Sequence, residues 1–131
     1  LLGPTVGGKG KIEARNKTFK AGQILENAGI TFGLITDAPF VPIEGQLLQA
    51  ALYVKNGLSR EMALKCLTIN NAIITDIDSR VGSLEPGKDA DVVIWDVEPL
   101  ATLSQVGIVI IDGQIAYRRK AGESNVDYQK L

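Results

Sequence analysis

One carboxylate is best placed, among the residues that could do chemistry, to take part in a reaction. Asp37 comes directly after residues 30–36 (ITFGLIT), a mostly apolar run typical of a strand covered on both faces in a parallel sheet. Active sites of α/β barrels lie at the C-terminal ends of such strands. Asp37 is therefore a candidate metal ligand or proton acceptor. An Asp that opens a turn before Pro39 would give the same local pattern.

Other charged residues with suggestive spacing are better explained as loop charges. Lys9 lies in a Gly-Gly-Lys-Gly-Lys run that lacks the full spacing of a phosphate-binding loop. The pairs Asp76 with Asp78 and Asp89 with Asp91 could be parts of oxygen-ligand sites. Neither pair is followed by the Gly and the distal Glu of a calcium-binding loop. We interpret Lys9 as part of a flexible loop and the two Asp pairs as solvated turn charges.

Three further features are interpreted as structural. Cys66 lies within an apolar helical pattern, which favours buried packing over a reactive thiol. Trp95 is expected in the core of a β-sandwich. Residues 118–120 (RRK) are expected to form a charged strand end that protects an open sheet edge.

What the sequence lacks excludes several classes of protein. It contains no histidine, which excludes Ser-His-Asp and Cys-His catalysis and every zinc site with an imidazole ligand. One cysteine cannot form an internal disulfide, which fits a reducing compartment and predicts a cytoplasmic protein. The net charge of −1 argues against nucleic acid as a partner. No run approaches the roughly 20 apolar residues of a membrane span, so we expect no membrane insertion.

The elements that must position Asp37 follow an α/β rhythm. Residues 17–28 form a predicted amphipathic helix ending at Gly29, and the predicted strand 30–36 follows. Two further helices are predicted over residues 45–56 and 59–74, the second capped by Ser59. The side chains expected on the buried side of helix 45–56 are Leu47, Leu48, Ala51, Leu52 and Val54.

The second half of the chain predicts a small β module. Pro86 and Gly87 occupy the central positions of a type II turn, and residues 91–96 form a β-rich run. Residues 106–117 predict a hairpin closed by a type I′ turn at Asp112-Gly113.

Residues 33–100 resemble the C-terminal portion of the amidohydrolase superfamily, in particular its imidazolonepropionase-like members. The resemblance is carried by Thr36-Asp37-Ala38-Pro39, Val41-Pro42-Ile43, Ala50-Ala51, Lys55-Asn56-Gly57-Leu58-Ser59, Ala63-Leu64, Thr68-Ile69-Asn70 and, above all, residues 81–93 (VGSLEPGKDADVV). In that family the last run marks the return of the chain into a β-sandwich beside a metal-dependent barrel.

The resemblance implies a fold of class α/β plus β. Residues 1–78 would be the last βα units of a (β/α)₈ TIM-type barrel, residues 79–120 the C-terminal strands of a composite β-sandwich, and residues 121–131 a polar tail. Asp37 would close barrel strand eight, bind a catalytic divalent metal, zinc or iron, and help to deprotonate the attacking water.

This sequence departs from the family pattern in three places. Ala38 stands where a His is frequent, and Asn71 stands where an Asn-Pro step is usual. The His-x-His pair and the further His ligands of earlier strands are absent from this sequence. We therefore expect a C-terminal fragment of the enzyme, beginning inside a strand at Leu1, that is inactive by itself and binds no metal by itself.

The expected function is hydrolysis of a carbon–nitrogen bond, in an amide or cyclic amide, of a small-molecule substrate by metal-activated water. Two alternatives stay open: a non-catalytic binding or assembly module derived from the same fold, and an enzyme that uses only carboxylates, with Glu44 as the nearest second acid. We also expect a homo-oligomer, because an open barrel leaves strand 30–36 and the stripes of its helices uncovered. A compact monomer, in which the β module covers the strand, is the alternative.

Overall fold

Four α-helices precede three β-strands in the parts of the chain that the structure, a computed structural model, describes: residues 1–6 and 12–120. Lys9 and the tail 121–131 lie outside the described residues. The elements are a short 3₁₀ turn Ile12–Ala14, α1 Lys20–Asn27, α2 Gly45–Lys55, α3 Arg60–Leu67, α4 Ile69–Ile74, β1 Val92–Trp95, β2 Val106–Ile111 and β3 Gln114–Arg118. No described helix has the length and apolar character needed to cross a bilayer.

Residues 30–36 are extended but do not form a strand, so that prediction is wrong. Their backbone pairing is a single parallel bridge between Leu2 and Leu34. The Leu2 N–H donates to the Gly33 carbonyl at 2.7 Å, and the Ile35 N–H donates to the Leu2 carbonyl at 3.1 Å. On the edge of residues 30–36 that faces away from Leu2, the Leu34 N–H donates to the Cys66 carbonyl at the end of α3, 3.1 Å away. A helix end therefore occupies the edge where a neighbouring strand would continue the ladder.

The hydrophobic core surrounds residues 30–36, here called the central segment. Its buried members come from the segment, α2, α3 and the turn between those helices: Phe32, Leu34, Ala50, Tyr53, Leu58, Ala63 and Cys66. Cys66 is fully buried, which confirms its interpretation as a packing residue. Gly22 allows α1 to approach α2 closely, because a Cβ at this position would lie 2.8 Å from the Tyr53 ring. The core thus packs three helices around one extended segment.

The helices differ from prediction in length and in the face that they bury. The first begins at Lys20, and the helix predicted over residues 59–74 is broken at Thr68, whose φ of −129° and ψ of −101° are not helical. On α2, Leu48 is 56% exposed whereas Gln49 is fully buried, so the predicted buried face is wrong there. Apolar residues surround α2 on most sides, and periodicity therefore did not identify the core-facing stripe.

Strands β1, β2 and β3 form an antiparallel sheet in that order. Asp112 and Gly113 have φ values of 49° and 73°, which confirms the type I′ hairpin. The Lys88 N–H donates to the Glu85 carbonyl at 3.2 Å and Gly87 has a φ of 92°, as a type II turn requires. Trp95 is half-buried beside a cavity, not in the core of a sandwich. This sheet agrees with the small β module predicted for the second half of the chain.

Candidate functional site

Asp37 lies where the central segment emerges from the core. Thr36 is 5% exposed, and the next residue, Asp37, is exposed. Asp37 adopts a left-handed conformation with a φ of 55°, which residues other than Gly rarely do. Its carbonyl accepts a hydrogen bond from the Phe40 N–H at 2.9 Å, so Asp37 also opens a turn. The turn leaves the carboxylate accessible at the end of a buried backbone segment.

Two glutamines of α2 hold the backbone that leads to Asp37. Gln46 Nε2 donates to the Leu34 carbonyl at 2.7 Å, and Gln49 Nε2 donates to the Ile35 carbonyl at 3.0 Å. These residues are three apart in a helix and therefore lie on the same face. Sequence reasoning missed them. The available signal was a pair of amides with helical spacing inside an otherwise apolar helix that directly follows the candidate acid.

Side chains of α3 and α4 also bind backbone carbonyls of this segment. Asn70 Nδ2 donates to the Phe32 carbonyl at 2.8 Å, and Cys66 Sγ donates to the same oxygen at 3.1 Å. Asn71 Nδ2 donates to the Leu34 carbonyl at 3.1 Å. Gly33 permits this approach, because a Cβ there would lie 1.8 Å from Asn71 Oδ1. Amide side chains thus satisfy carbonyls that strand neighbours would otherwise bind.

Cys66 does not have the character of a nucleophile. Burial raises the pKa of its thiol to about 11, the hydrogen bond with Asn70 partly offsets this effect, and the charge of Glu26 adds to it. A thiol with this pKa stays protonated at neutral pH, and the thiolate is the reactive form. Its role here is to donate a hydrogen bond to the Phe32 carbonyl.

The other acids considered as possible ligands are bonded within the fold or exposed to solvent. Asp89 pairs with Arg80 at 2.6 Å, and Asp91 Oδ1 accepts from the Asp112 N–H at 2.9 Å. Asp76 is exposed, with a left-handed φ of 60°. These contacts agree with the interpretation of Asp89 and Asp91 as turn charges. Glu44 is exposed and immediately precedes α2.

The charged run after β3 is also partly engaged in the fold. Arg118 ends β3, the edge strand, in agreement with its predicted place. Arg119 pairs with Asp96 at 3.1 Å. The Gln105 backbone N–H, and next the guanidinium of Arg119, lower the pKa of the Asp96 carboxyl. Arg119 therefore ties the end of β3 to the loop between β1 and β2.

The residues present fit one ligand of a divalent metal but not a complete site. Within residues 1–6 and 12–120, no three acidic or cysteine side chains come together as a metal site would require. Catalytic zinc takes three protein ligands and a water. The exposed carboxylate of Asp37 would supply one of these three ligands. The further ligands would have to come from residues other than those described.

A cavity of about 830 Å³ lies between helices α3 and α4, the central segment and β1. Its volume falls within the usual range of small-molecule pockets. Its walls are mostly apolar and include Leu34, Leu47, Leu67, Ala72, Val93 and Trp95. Asn71 also lines it, and Asn71 Oδ1 is buried without a hydrogen-bond partner among the described residues. Asp37 does not line this cavity.

Comparison with known proteins defines the family of this chain. Residues 11–116 match the Amidohydrolase family, and the chain belongs to it. The chain is 34% identical over 103 residues to Amidohydrolase tasK of Hapsidospora irregularis, covering 79% of this chain and 10% of that protein. It is 35% identical over 86 residues to an imidazolonepropionase of Shewanella baltica, covering 62% of this chain and 21% of that protein.

The solved structures agree. The crystal structure of an amidohydrolase from Thermotoga maritima superimposes with a TM-score of 0.87 and 38% identity, covering 91% of this chain and 31% of that chain. The resemblance to imidazolonepropionase-like amidohydrolases, a TIM-barrel superfamily, is therefore confirmed. The chain spans between a tenth and a fifth of the length of these two curated relatives.

Proposed function

We propose that this chain is the C-terminal part of a metal-dependent amidohydrolase that hydrolyses a carbon–nitrogen bond, in an amide or cyclic amide, of a small molecule. The observation that carries the proposal is the position of Asp37. It is an accessible carboxylate at the end of the buried central segment, in a chain of the Amidohydrolase family. Residues 1–78 would complete a barrel, and residues 79–120 would complete a composite sandwich. Residues 121–131 would form a polar tail.

In the proposed reaction, Asp37 has two tasks. Asp37 would be one of the residues that hold a zinc or iron ion, and its carboxylate would accept the proton of the attacking water. The ion, when bound, lowers the pKa of that water and polarises the substrate carbonyl. Because Asp37 is exposed, its carboxylate is accessible from solvent without local unfolding.

The other metal ligands would come from residues outside these 131, because the sequence has no histidine. The chain by itself is then inactive and binds zinc no more tightly than an exposed carboxylate does. Titration of the 131-residue chain with zinc by calorimetry tests this part. A stoichiometric sub-micromolar site that Asp37→Ala abolishes would overturn it and favour a carboxylate-only enzyme.

The role of Asp37 is tested in the full-length gene product. Hydrolysis of N-acyl amino acids and cyclic amides is measured with metal content for the wild type, Asp37→Asn and Asp76→Asn. Asp76 is a matched control because it is also an exposed Asp with a left-handed φ, 60° against 55°. We expect Asp37→Asn to lower kcat by about 100-fold or more with little change in folding, since a lost proton acceptor costs at least that factor.

Asp76→Asn should keep wild-type turnover. An Asp37→Asn variant with most of the wild-type kcat would show that the acid is misassigned. A full-length product with neither bound metal nor hydrolysis of any substrate would support the non-catalytic module instead.

A further inference from the structure

Asp37 holds an uncommon backbone conformation. Its φ of 55° lies in the left-handed region, which Asp enters more readily than most residues but only at single positions. Such a conformation persists only when the surrounding structure fixes it. The groups that fix the two residues before Asp37 therefore matter for the direction of its carboxylate.

Gln49 connects this backbone to another part of the fold. Its side chain is fully buried. Gln49 Nε2 donates to the Ile35 carbonyl at 3.0 Å, and Gln49 Oε1 accepts from the Thr5 N–H at 2.8 Å. Both ends of one rigid amide group are thus bonded to backbone, one of them two residues before Asp37.

The packing around Gln49 leaves its amide little freedom. A Cβ on Gly3 would lie 2.2 Å from the Ile35 carbonyl oxygen and 3.0 Å from Gln49 Nε2, so only a glycine allows this approach. Thr5, which is bonded to Gln49, also bonds through its hydroxyl to the Tyr53 hydroxyl. Residues 3–5, the central segment and α2 are therefore fixed against each other around a single amide.

We propose that Gln49 is a positioning residue for Asp37: it fixes the Ile35 carbonyl to α2 and to Thr5, and thereby sets the direction of the Asp37 carboxylate. This inference rests on the proposed metal-binding role of Asp37. Gln46, one turn earlier on α2, binds the preceding carbonyl, that of Leu34, from the same helix face. The Leu34 carbonyl also accepts from Asn71. Among residues 1–6 and 12–120, Gln49 is the side chain that binds the Ile35 carbonyl, so Gln49 is the more specific of the two glutamines.

The experiment compares Gln49→Met with Asn70→Met. Asn70 is the matched control, because its buried amide also donates to a carbonyl of the central segment, that of Phe32 at 2.8 Å, but five residues before Asp37. Backbone amide resonances of the metal-free 131-residue chain are recorded by NMR. Zinc affinity and the pH profiles of kcat and KM are measured in the full-length gene product.

We expect Gln49→Met to shift the resonances of Thr36, Asp37 and Phe40 and to weaken zinc binding roughly tenfold, the effect of one hydrogen bond. Its kcat should fall with little change in KM. Asn70→Met should shift resonances near Phe32 and leave Asp37 and the zinc affinity as in the wild type, although both variants lose stability.

Gln49→Glu provides a rescue that does not depend on folding of the Met variant. A neutral carboxyl can still donate to the Ile35 carbonyl, whereas an ionised one cannot. Compared with the wild type at the same pH, the Asp37 resonances should match while the introduced carboxyl is neutral and diverge when it ionises.

Two results would overturn the inference. In the first, the Asp37 resonances of Gln49→Met equal those of the wild type and those of Gln49→Glu do not respond to ionisation. In the second, Asn70→Met shifts the Asp37 resonances as much as Gln49→Met does. Shifted Asp37 resonances with unchanged zinc affinity would instead leave the positioning intact and contradict the proposed role of Asp37.

Discussion

Among single residues, Cys66 makes the stability of this fold depend on pH in the alkaline range, because its thiol is buried. Burial raises the thiol pKa from its ordinary value of 9.0 to about 11. Between these pH values the unfolded chain loses the proton and the folded chain keeps it. Stability is therefore fully present below pH 9.0 and falls as the pH rises toward about 11. The loss amounts to about 2 to 3 kcal/mol at most.

Urea unfolding from neutral pH to about pH 11 checks this prediction. Cys66→Ala should be less stable at neutral pH, because it loses packing and the bond to the Phe32 carbonyl, but its stability should fall less steeply. Some slope should remain, since burial also raises the pKa of Tyr53. Identical slopes for the two proteins would show that the thiol does not titrate differently on folding.

Asp37 and the two glutamines that bind the backbone before it differ in how well the sequence alone can identify them. Asp37 could be selected as a candidate because the apolar run before it is a local signal. Gln46 and Gln49 could not, because their role depends on which face of α2 is buried, and tertiary packing decides that. Gln49 sits on a face that apolar periodicity alone did not favour.

At the scale of elements, the junction between α1 and α3 depends on one cap. Ser59 Oγ accepts from the Met62 N–H at 3.1 Å, as expected for the N-cap of α3. Glu26 of α1 accepts from both the backbone N–H and the hydroxyl of Ser59. We expect Ser59→Ala to lower the free energy of unfolding by about 1 kcal/mol through loss of the cap, and by more if the contact with Glu26 also stabilises the fold.

A double-mutant cycle with Glu26→Ala separates these contributions. The two changes should couple by about 0.5 to 1 kcal/mol in the free energy of unfolding, since they remove one shared hydrogen-bond network. Glu26→Gln, which keeps one acceptor oxygen, should lose less than Glu26→Ala. Strictly additive effects would mean that Glu26 and Ser59 stabilise the fold independently.

Elements with local conformational signals were predicted well, and those that depend on distant neighbours were not. The hairpin at Asp112-Gly113 and the turn at Pro86-Gly87 follow from residues that tolerate a positive φ. Residues 30–36 have the composition of a parallel strand, but a parallel ladder needs partners from distant parts of a sequence. Here the single backbone bridge goes to Leu2, and side chains of α2, α3 and α4 bind the carbonyls of Phe32, Leu34 and Ile35.

For the whole molecule, exposed apolar side chains favour self-association and an open strand edge does not. The edges of residues 30–36 are bound by Leu2 on one side and by α3 on the other, so an open strand edge no longer argues for an oligomer. Exposed apolar side chains remain. Ile77, Leu84 and Val93 border the cavity and are 47%, 76% and 47% exposed. Apolar groups clustered at a cavity rim mark an interaction surface more than scattered ones do.

We therefore predict that the isolated 131-residue chain forms a homo-oligomer, most simply a two-fold dimer, through the cavity rim. Leu84→Arg places a charge at this rim on a side chain that is 76% exposed, so it should weaken association without unfolding the chain. Leu103→Arg is the matched control, because Leu103 is 85% exposed and does not line the cavity. Sedimentation equilibrium at micromolar concentration should give a dimer for the wild type and Leu103→Arg, and mainly monomer for Leu84→Arg. A single wild-type species of 14.0 kDa, independent of concentration, would mean that the chain tolerates this exposed surface as a monomer.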